Sequence, residues 1–152
     1  MKIDQIDRQI LRELQINADL TNEALGQRIH LSPATCQRRV RRLKEMGAIE
    51  KVVAIVNPQA VGQPLLALVE ITLGSQTVES LTAFESIASA SGFVQQCYQV
   101  STGPDFILVL ALPDMQAYHE LASNLFTVSN GVRNVRSFFT VLRSKFTTSI
   151  PV

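Results

Sequence analysis

The sequence predicts an α+β chain in two parts: an N-terminal helix-turn-helix (winged-helix-like) domain over 1–58, ending in a linker strand, and a ferredoxin-like βαββαβ domain over 59–152. Three observations predict it. Apolar residues recur at helical spacing in three short segments before position 47. From Ile49 the period shortens and strand-like runs begin to alternate with two further helical patterns. Charge divides at the same place: residues 1–58 hold ten Lys/Arg against seven Asp/Glu, and residues 59–152 hold four against six. The net charge of +1 therefore hides a basic front and a mildly acidic back, so only the front is expected to meet a polyanion.

In the first helix, Ile3, Ile6, Ile10, Leu11 and Leu14 form the stripe, and Asn17-Ala18-Asp19 ends it. Thr21 caps a second helix, with Glu23 in its first turn and Leu25 and Ile29 on its buried side. His30-Leu31 is a short connection. Ser32-Pro33 then restarts a helix, because Ser supplies a capping oxygen and Pro is favoured at the first helical position. Cys36, Val40 and Leu43 form the inner stripe of this third helix, and Gly47 stops it. Beyond it, 52–56 reads as a strand broken by Asn57-Pro58, and 59–64 as a linker.

Strands are then expected at 65–73, 93–100, 106–112 and 132–143, with helices at 78–90 and 115–128 between them. Val78, Leu81, Phe84 and Ala88 give the first of these helices an apolar face; Met115, Tyr118, Ala122 and Leu125 do so for the second. Two helices cover only one side of a four-stranded sheet. Phe106 to Leu112 nevertheless does not alternate, and Leu66 and Leu68 point away from Leu65, Ala67, Val69 and Ile71. A second apolar sheet face implies a covering partner, and a homodimer packed sheet to sheet is expected.

The third helix carries the chemistry. Five of the seven residues from Arg38 to Lys44 are basic and none is acidic. Projected at helical spacing, Ala34, Gln37, Arg38 and Arg41 point outward, with Thr35, Arg42 and Lys44 at the flanks. Arg and Lys neutralise phosphates, while Arg or Gln can pair two-pronged with base edges in the major groove. Ala34, Thr35, Gln37 and Arg38, near the helix start behind Ser32, are the expected base readers; Arg41, Arg42 and Lys44 are better placed for backbone phosphate of double-stranded DNA. Arg39 lies nearer the buried edge, where a structural salt bridge and a phosphate contact are both open.

Other classes receive less support. Cys36 and Cys97 are too few for a disulfide framework and lack zinc-site spacing with His30 and His119, so no metal or cofactor is expected. No phosphate-binding glycine motif and no convergent catalytic set appears, so an enzyme is not expected. An RNA-recognition sheet needs exposed aromatics and basic residues, whereas the central strands here are aliphatic. Without an apolar leader or a long uncharged apolar run, a soluble cytoplasmic protein with no membrane association is expected.

The chain resembles the Lrp/AsnC ("feast/famine") family of prokaryotic transcription regulators. The resemblance rests on Ile6-Asp7-Arg8-Gln9-Ile10-Leu11, on the stretch from Leu31 through Ser32-Pro33 to Leu43, and on Gly47-Ala48-Ile49. It continues through Val69-Glu70-Ile71 and Pro113-Asp114-Met115-Gln116-Ala117-Tyr118 to Lys145-Phe146-Thr147-Thr148-Ser149-Ile150-Pro151, and so spans essentially the whole chain. It implies a transcription regulator of amino-acid metabolism genes whose second domain binds a small amino-acid effector and oligomerises, as dimers and often octamers. Some relatives are decarboxylases, so the fold alone does not decide against catalysis. The resemblance places the effector at the loop that family members write Val-Thr-Gly-x-x-Asp-Tyr. Here it reads Val100-Ser101-Thr102-Gly103-Pro104-Asp105-Phe106, with Asp105 in place and the glycine one position late. Asp105 can pair with an ammonium group and Gly103 can admit a carboxylate to backbone N–H groups; an ordinary turn is the alternative. Thr102, Ser123 and Thr127 are further effector candidates, with Thr147 and Thr148 in the tail.

Overall fold

The computed structural model describes residues 2–152, which form two compact units: residues up to Ile55 together with Lys145–Val152, and Val56–Ser144. The first unit holds α1 (Gln5–Ile16), α2 (Asn22–Ile29) and α3 (Pro33–Glu45). Each helix starts where its capping chemistry says it should. Asp4 accepts from the Asp7 N–H at 2.8 Å while the Asp7 carboxylate accepts from the Asp4 N–H, a reciprocal capping box. Thr21 caps α2 through the Ala24 N–H, and Ser32 caps α3 through the Thr35 N–H with Pro33 behind it. Ile10, Leu11, Leu25, Cys36 and Leu43 close into one buried core at the crossing of the three helices.

The tight connection between α2 and α3 is set by two residues. His30 is left-handed at φ 58°, and the His30 and Leu31 N–H groups both return to the Gly26 carbonyl, closing the helix end. Gly26 has ordinary helical backbone, but a Cβ there would lie 2.4 Å from the Leu31 carbonyl oxygen. Only glycine lets the chain fold back this closely.

Three expectations need correction. Residues 51–57 form no strand, and among the described residues the first unit contains no strand that could act as a wing. A strand exists as a hydrogen-bonded ladder, and Val52, Val53, Ile55 and Val56 have no partner strand and stay exposed. The 145–152 tail, expected with the second domain, packs with the first. Arg12 Nε donates to the Val152 carbonyl at 2.8 Å, Gln15 exchanges two hydrogen bonds with Ile150, and Val152 touches the helical core. Finally, three elements are shorter than expected: the strand over 93–100 covers only Val94–Gln99, and two more elements stop early. The helix from Met115 ends at Leu125, because Thr127 caps a 3-10 turn over Val128–Asn130, and the last strand ends at Phe139.

The second unit runs β1 (Leu65–Leu73), α4 (Val78–Ala90), β2 (Val94–Gln99), β3 (Phe106–Leu112), α5 (Met115–Leu125) and β4 (Val132–Phe139). The strands form one antiparallel sheet in the order β2-β3-β1-β4. Register puts Leu65, Ala67, Val69, Ile71 and Leu73 on the face shared with Phe106, Leu108, Leu110 and Leu112, and these pack with Phe84 and Ala88 of α4 into a buried core. Tyr118 of α5 stacks edge-on to Phe139 and hydrogen-bonds Ser137, closing the other helix onto β4. The opposite face carries Leu66, Leu68, Ile107, Val109, Tyr98 and Phe138, with Leu68, Tyr98 and Phe138 about half exposed. Among the described residues no helix is long and apolar enough to cross a membrane.

Candidate nucleic-acid interface

Helix α3 presents its side chains in two chemically distinct zones. Ala34, Gln37, Arg38, Arg41 and Lys44 are exposed. Gln37, Arg38 and Lys44 make no hydrogen bond or ion pair among the described residues, so their donors are available to an incoming ligand. Arg41 approaches Glu45 at 3.5 Å, but both side chains are mostly exposed and such a pair holds an arginine only weakly. The hydroxyls of Ser32 and Thr35 bond each other at 2.8 Å, so both belong first to the helix start.

The edge of α3 that faces α1 is different. Asp7 is wholly buried and takes two arginines, Arg39 Nη1 at 2.8 Å on one carboxylate oxygen and Arg42 Nη2 on the other. Arg39 also reaches Asp4 at 2.8 Å. That hydrogen bond, seconded by the Asp7 backbone N–H, holds the Asp4 carboxyl down at about 2, and Asp4 followed by Asp7 raises Arg39 above its ordinary value. Of the two roles open to Arg39, the structure has the salt bridge. Arg42, expected on the phosphate side, is turned onto Asp7 instead, where its guanidinium joins the Asp4 N–H on Oδ2 and adds a second positive charge beside a buried carboxylate. Nothing in the helical spacing of α3 alone could have revealed this; the signal lay in Asp7, a charge on the apolar stripe of α1.

The loop candidates gather at one end of the sheet. Register aligns Ile71 with Phe106 and Leu73 with Val132, so the 100–105 loop and the turn after α5 both lie beside the end of β1. Within the loop, Asp105 is spent largely on structure: its N–H donates to the Ile71 carbonyl, its carbonyl accepts from Val100, and Oδ2 accepts from the Leu73 N–H at 2.7 Å. Its other carboxylate oxygen makes no hydrogen bond among the described residues. Gly103 holds φ 90°, a conformation the shifted glycine is there to supply, and Thr102 is exposed. Ser123 bonds back to the His119 carbonyl, and Thr127 caps Asn130 and meets Ser129, so neither hydroxyl is free.

At the same end lies an open pocket of about 390 Å³ lined by Gly74, Ser75, Ser80, Val128, Gly131, Val132 and Arg133. Nothing in the sequence announces it, since two glycine turns and one arginine on separate segments carry no spacing signal. Of the two histidines, His30 closes α2, and His119 is exposed beside the Tyr118 ring. Burial raises both cysteine thiols, Cys97 further by the Glu85 charge, which disfavours the thiolate at each. Among the described residues no group of three His, Cys, Asp or Glu could hold a metal ion.

Residues 3–44 match the AsnC-type helix-turn-helix domain, and residues 66–150 match the Lrp/AsnC ligand binding domain. The chain is 33% identical over 152 residues to an uncharacterized HTH-type transcriptional regulator of Sinorhizobium fredii, covering all of this chain and 90% of that one. It is 37% identical over 136 residues to the leucine-responsive regulatory protein of Klebsiella pneumoniae, covering 90% and 83%. Among solved structures it superposes at a TM-score of 0.92, with 28% identity and 99% and 97% coverage, on a transcriptional regulator from Neisseria meningitidis crystallised with L-methionine.

Proposed function

The chain belongs to the Lrp/AsnC family of transcriptional regulators, and on that premise we propose that it reads operator DNA through Gln37 and Arg38 and grips the backbone through Arg41 and Lys44. The observation that carries this reading is the exposed face of α3, where an amide and a guanidinium stand with their donors uncommitted. Both side chains suit purine edges in the major groove, and the exposed Ala34 methyl suits a thymine methyl. Ser32 and Thr35 contribute at the helix N-terminus, where backbone N–H groups favour a phosphate.

DNA recognition of this kind uses paired half-sites. The open sheet face, with Leu68, Tyr98 and Phe138 half exposed around Ile107 and Val109, supports a homodimer closed face to face, on which larger rings such as octamers are built. The effector is a small amino acid, as the L-methionine of the Neisseria regulator suggests, held at Thr102, Gly103 and Asp105. The uncommitted Asp105 oxygen would accept its ammonium group. The targets are cytoplasmic: the protein's own promoter and genes of amino-acid metabolism.

The test is a salt titration of operator binding. Arg38→Ala is expected to weaken specific binding by about five- to 150-fold, the range of one two-pronged base contact at about 1–3 kcal/mol. Unchanged affinity in both Arg38→Ala and Arg41→Ala would remove α3 as the reader. Thermal-shift screening of the common amino acids, with Asp105→Ala as control, tests the effector. A ligand at a hundred times its Kd adds about 2.7 kcal/mol of stability. Sedimentation of the same samples gives the size of the assembly.

A further inference from the structure

Arg38 and Arg42 are four residues apart on α3, about 40° around the helix, yet one is free and the other is held by a buried carboxylate. The geometry points to Asp7 as a positioning residue for DNA recognition: by holding Arg39 and Arg42 it sets the roll of α3 and leaves neither arginine to the DNA phosphates. This rests on the reading of α3 as the DNA-contacting helix.

The apolar stripe of α3 does not by itself fix its roll. The inner stripe consists of Cys36, Val40 and Leu43, with Cys36 and Leu43 fully buried. Such a narrow aliphatic stripe specifies burial but tolerates rotation, since dispersion contacts are non-directional. A planar guanidinium is directional. Arg39 and Arg42 are three residues apart on α3, Asp4 and Asp7 three apart on α1, and the two pairs mesh so that both oxygens of Asp7 are engaged.

The cluster is a poor device for stability alone. The Nε groups of Arg39 and Arg42 are both buried without a partner, which is a desolvation cost left unreturned. Buried ion pairs are often replaceable by apolar residues without loss of stability. What the cluster supplies that leucines would not is an angular reference between α1 and α3. Asp7 occupies the N3 position of the α1 capping box as well, so its carboxylate is fixed at the start of its own helix.

Two measurements on the full-length protein test this. In Arg42→Gln, Asp7 keeps Arg39 and the fold is retained. The slope of log affinity against log salt on non-specific duplex is expected to stay at the wild-type value, whereas Arg41→Gln lowers it by about 0.9 for each phosphate that is no longer neutralised. A slope that falls equally in Arg42→Gln would make Arg42 a phosphate ligand and overturn the proposal. The second measurement uses the triple variant Asp7→Asn, Arg39→Gln, Arg42→Gln, which removes the charges together so that none is stranded. Its melting temperature and helical signal are expected to stay near wild type. Its ratio of operator to non-specific affinity is expected to drop about tenfold. A purely structural cluster would leave that ratio unchanged in the folded triple variant, and that result also overturns the proposal. Failure of the underlying reading looks different: the wild-type protein itself would show no operator preference.

Discussion

The exposed face of α3 and the 100–105 loop both present polar side chains to solvent, yet they hold them in opposite ways. On α3 the helix is built entirely by other residues: Ser32 and Pro33 start it, Cys36 and Leu43 anchor it, and Asp7 absorbs two of its arginines. Gln37 and Arg38 are left with no structural duty. In the loop the prominent charge is itself the fastening, since Asp105 joins the end of β1 to the turn before β3 through two hydrogen bonds and closes the loop on Val100 through a third. The contrast teaches that a side chain's freedom is a property of its neighbours. A substitution on α3 should therefore change binding and spare stability, while one at Asp105 should change both.

The largest effect that would break the contrast comes from the scaffold beneath α3. Gly26→Ala places a methyl group 2.4 Å from the Leu31 carbonyl oxygen, a backbone atom that can yield only if the turn opens. A destabilisation of about 3 kcal/mol, at the upper end for forced overpacking, is expected. Amide hydrogen exchange would show faster opening of α2 and α3 and no change in the sheet. If the exposed arginines stay in register without Gly26, operator affinity should survive this variant, and the dependence of α3 on its scaffold would be refuted.

Next in size is Asp105. Asp105→Ala leaves the Leu73 N–H without its acceptor, at a cost of about 1–3 kcal/mol, while Asp105→Asn restores a neutral acceptor and should recover most of it. Both tyrosines, Tyr98 and Tyr118, lie in the second unit, and the chain has no tryptophan, so tyrosine fluorescence follows this unit alone. An Asp105→Asn variant as stable as wild type but deaf to amino acids would separate the fastening from the effector contact. Equal loss of both would tie them together.

How much of this was legible in the sequence depended on whether a residue's partner was local. The caps at Thr21 and Ser32, the inner stripe of α3 and the bounds of β1, α4 and β3 follow from short-range chemistry, and the structure has them where the sequence places them. The open apolar sheet face was legible too, because period two separates Leu66 and Leu68 from their neighbours. What escaped was long-range. Arg42 finds Asp7 35 positions away, and the tail finds Arg12 and Gln15 more than 130 positions away. Residues 52–56 read as a strand because valine and isoleucine favour one, but propensity cannot supply the second strand that a ladder needs. Asp105 stands in the sequence as an effector candidate only; its additional bond to Leu73 depends on a register that the loop sequence does not encode.

The smallest effect concerns Asp4, the outer member of the charged edge of α3, and it sharpens the contrast by titration. Arg39 holds the folded carboxyl at about 2, below the roughly 3.9 of an unfolded aspartate. The unfolded chain therefore takes up the proton first as the pH falls. The contribution of Asp4 is complete above about pH 4 and disappears as the pH drops towards 2. Asp4→Asn keeps a good capping residue but cannot carry the charge that faces Arg39. The variant should differ little from wild type in strong acid and should lag it at neutral pH, with the gap opening between about pH 2 and 4. Hydrogen exchange in α1 across that window is the measurement. Because Asp4 is about half exposed and Asp7 is wholly buried, removing the outer carboxylate should leave operator specificity intact. Loss of specificity in Asp4→Asn would shift the positioning role from the buried aspartate to the capping one.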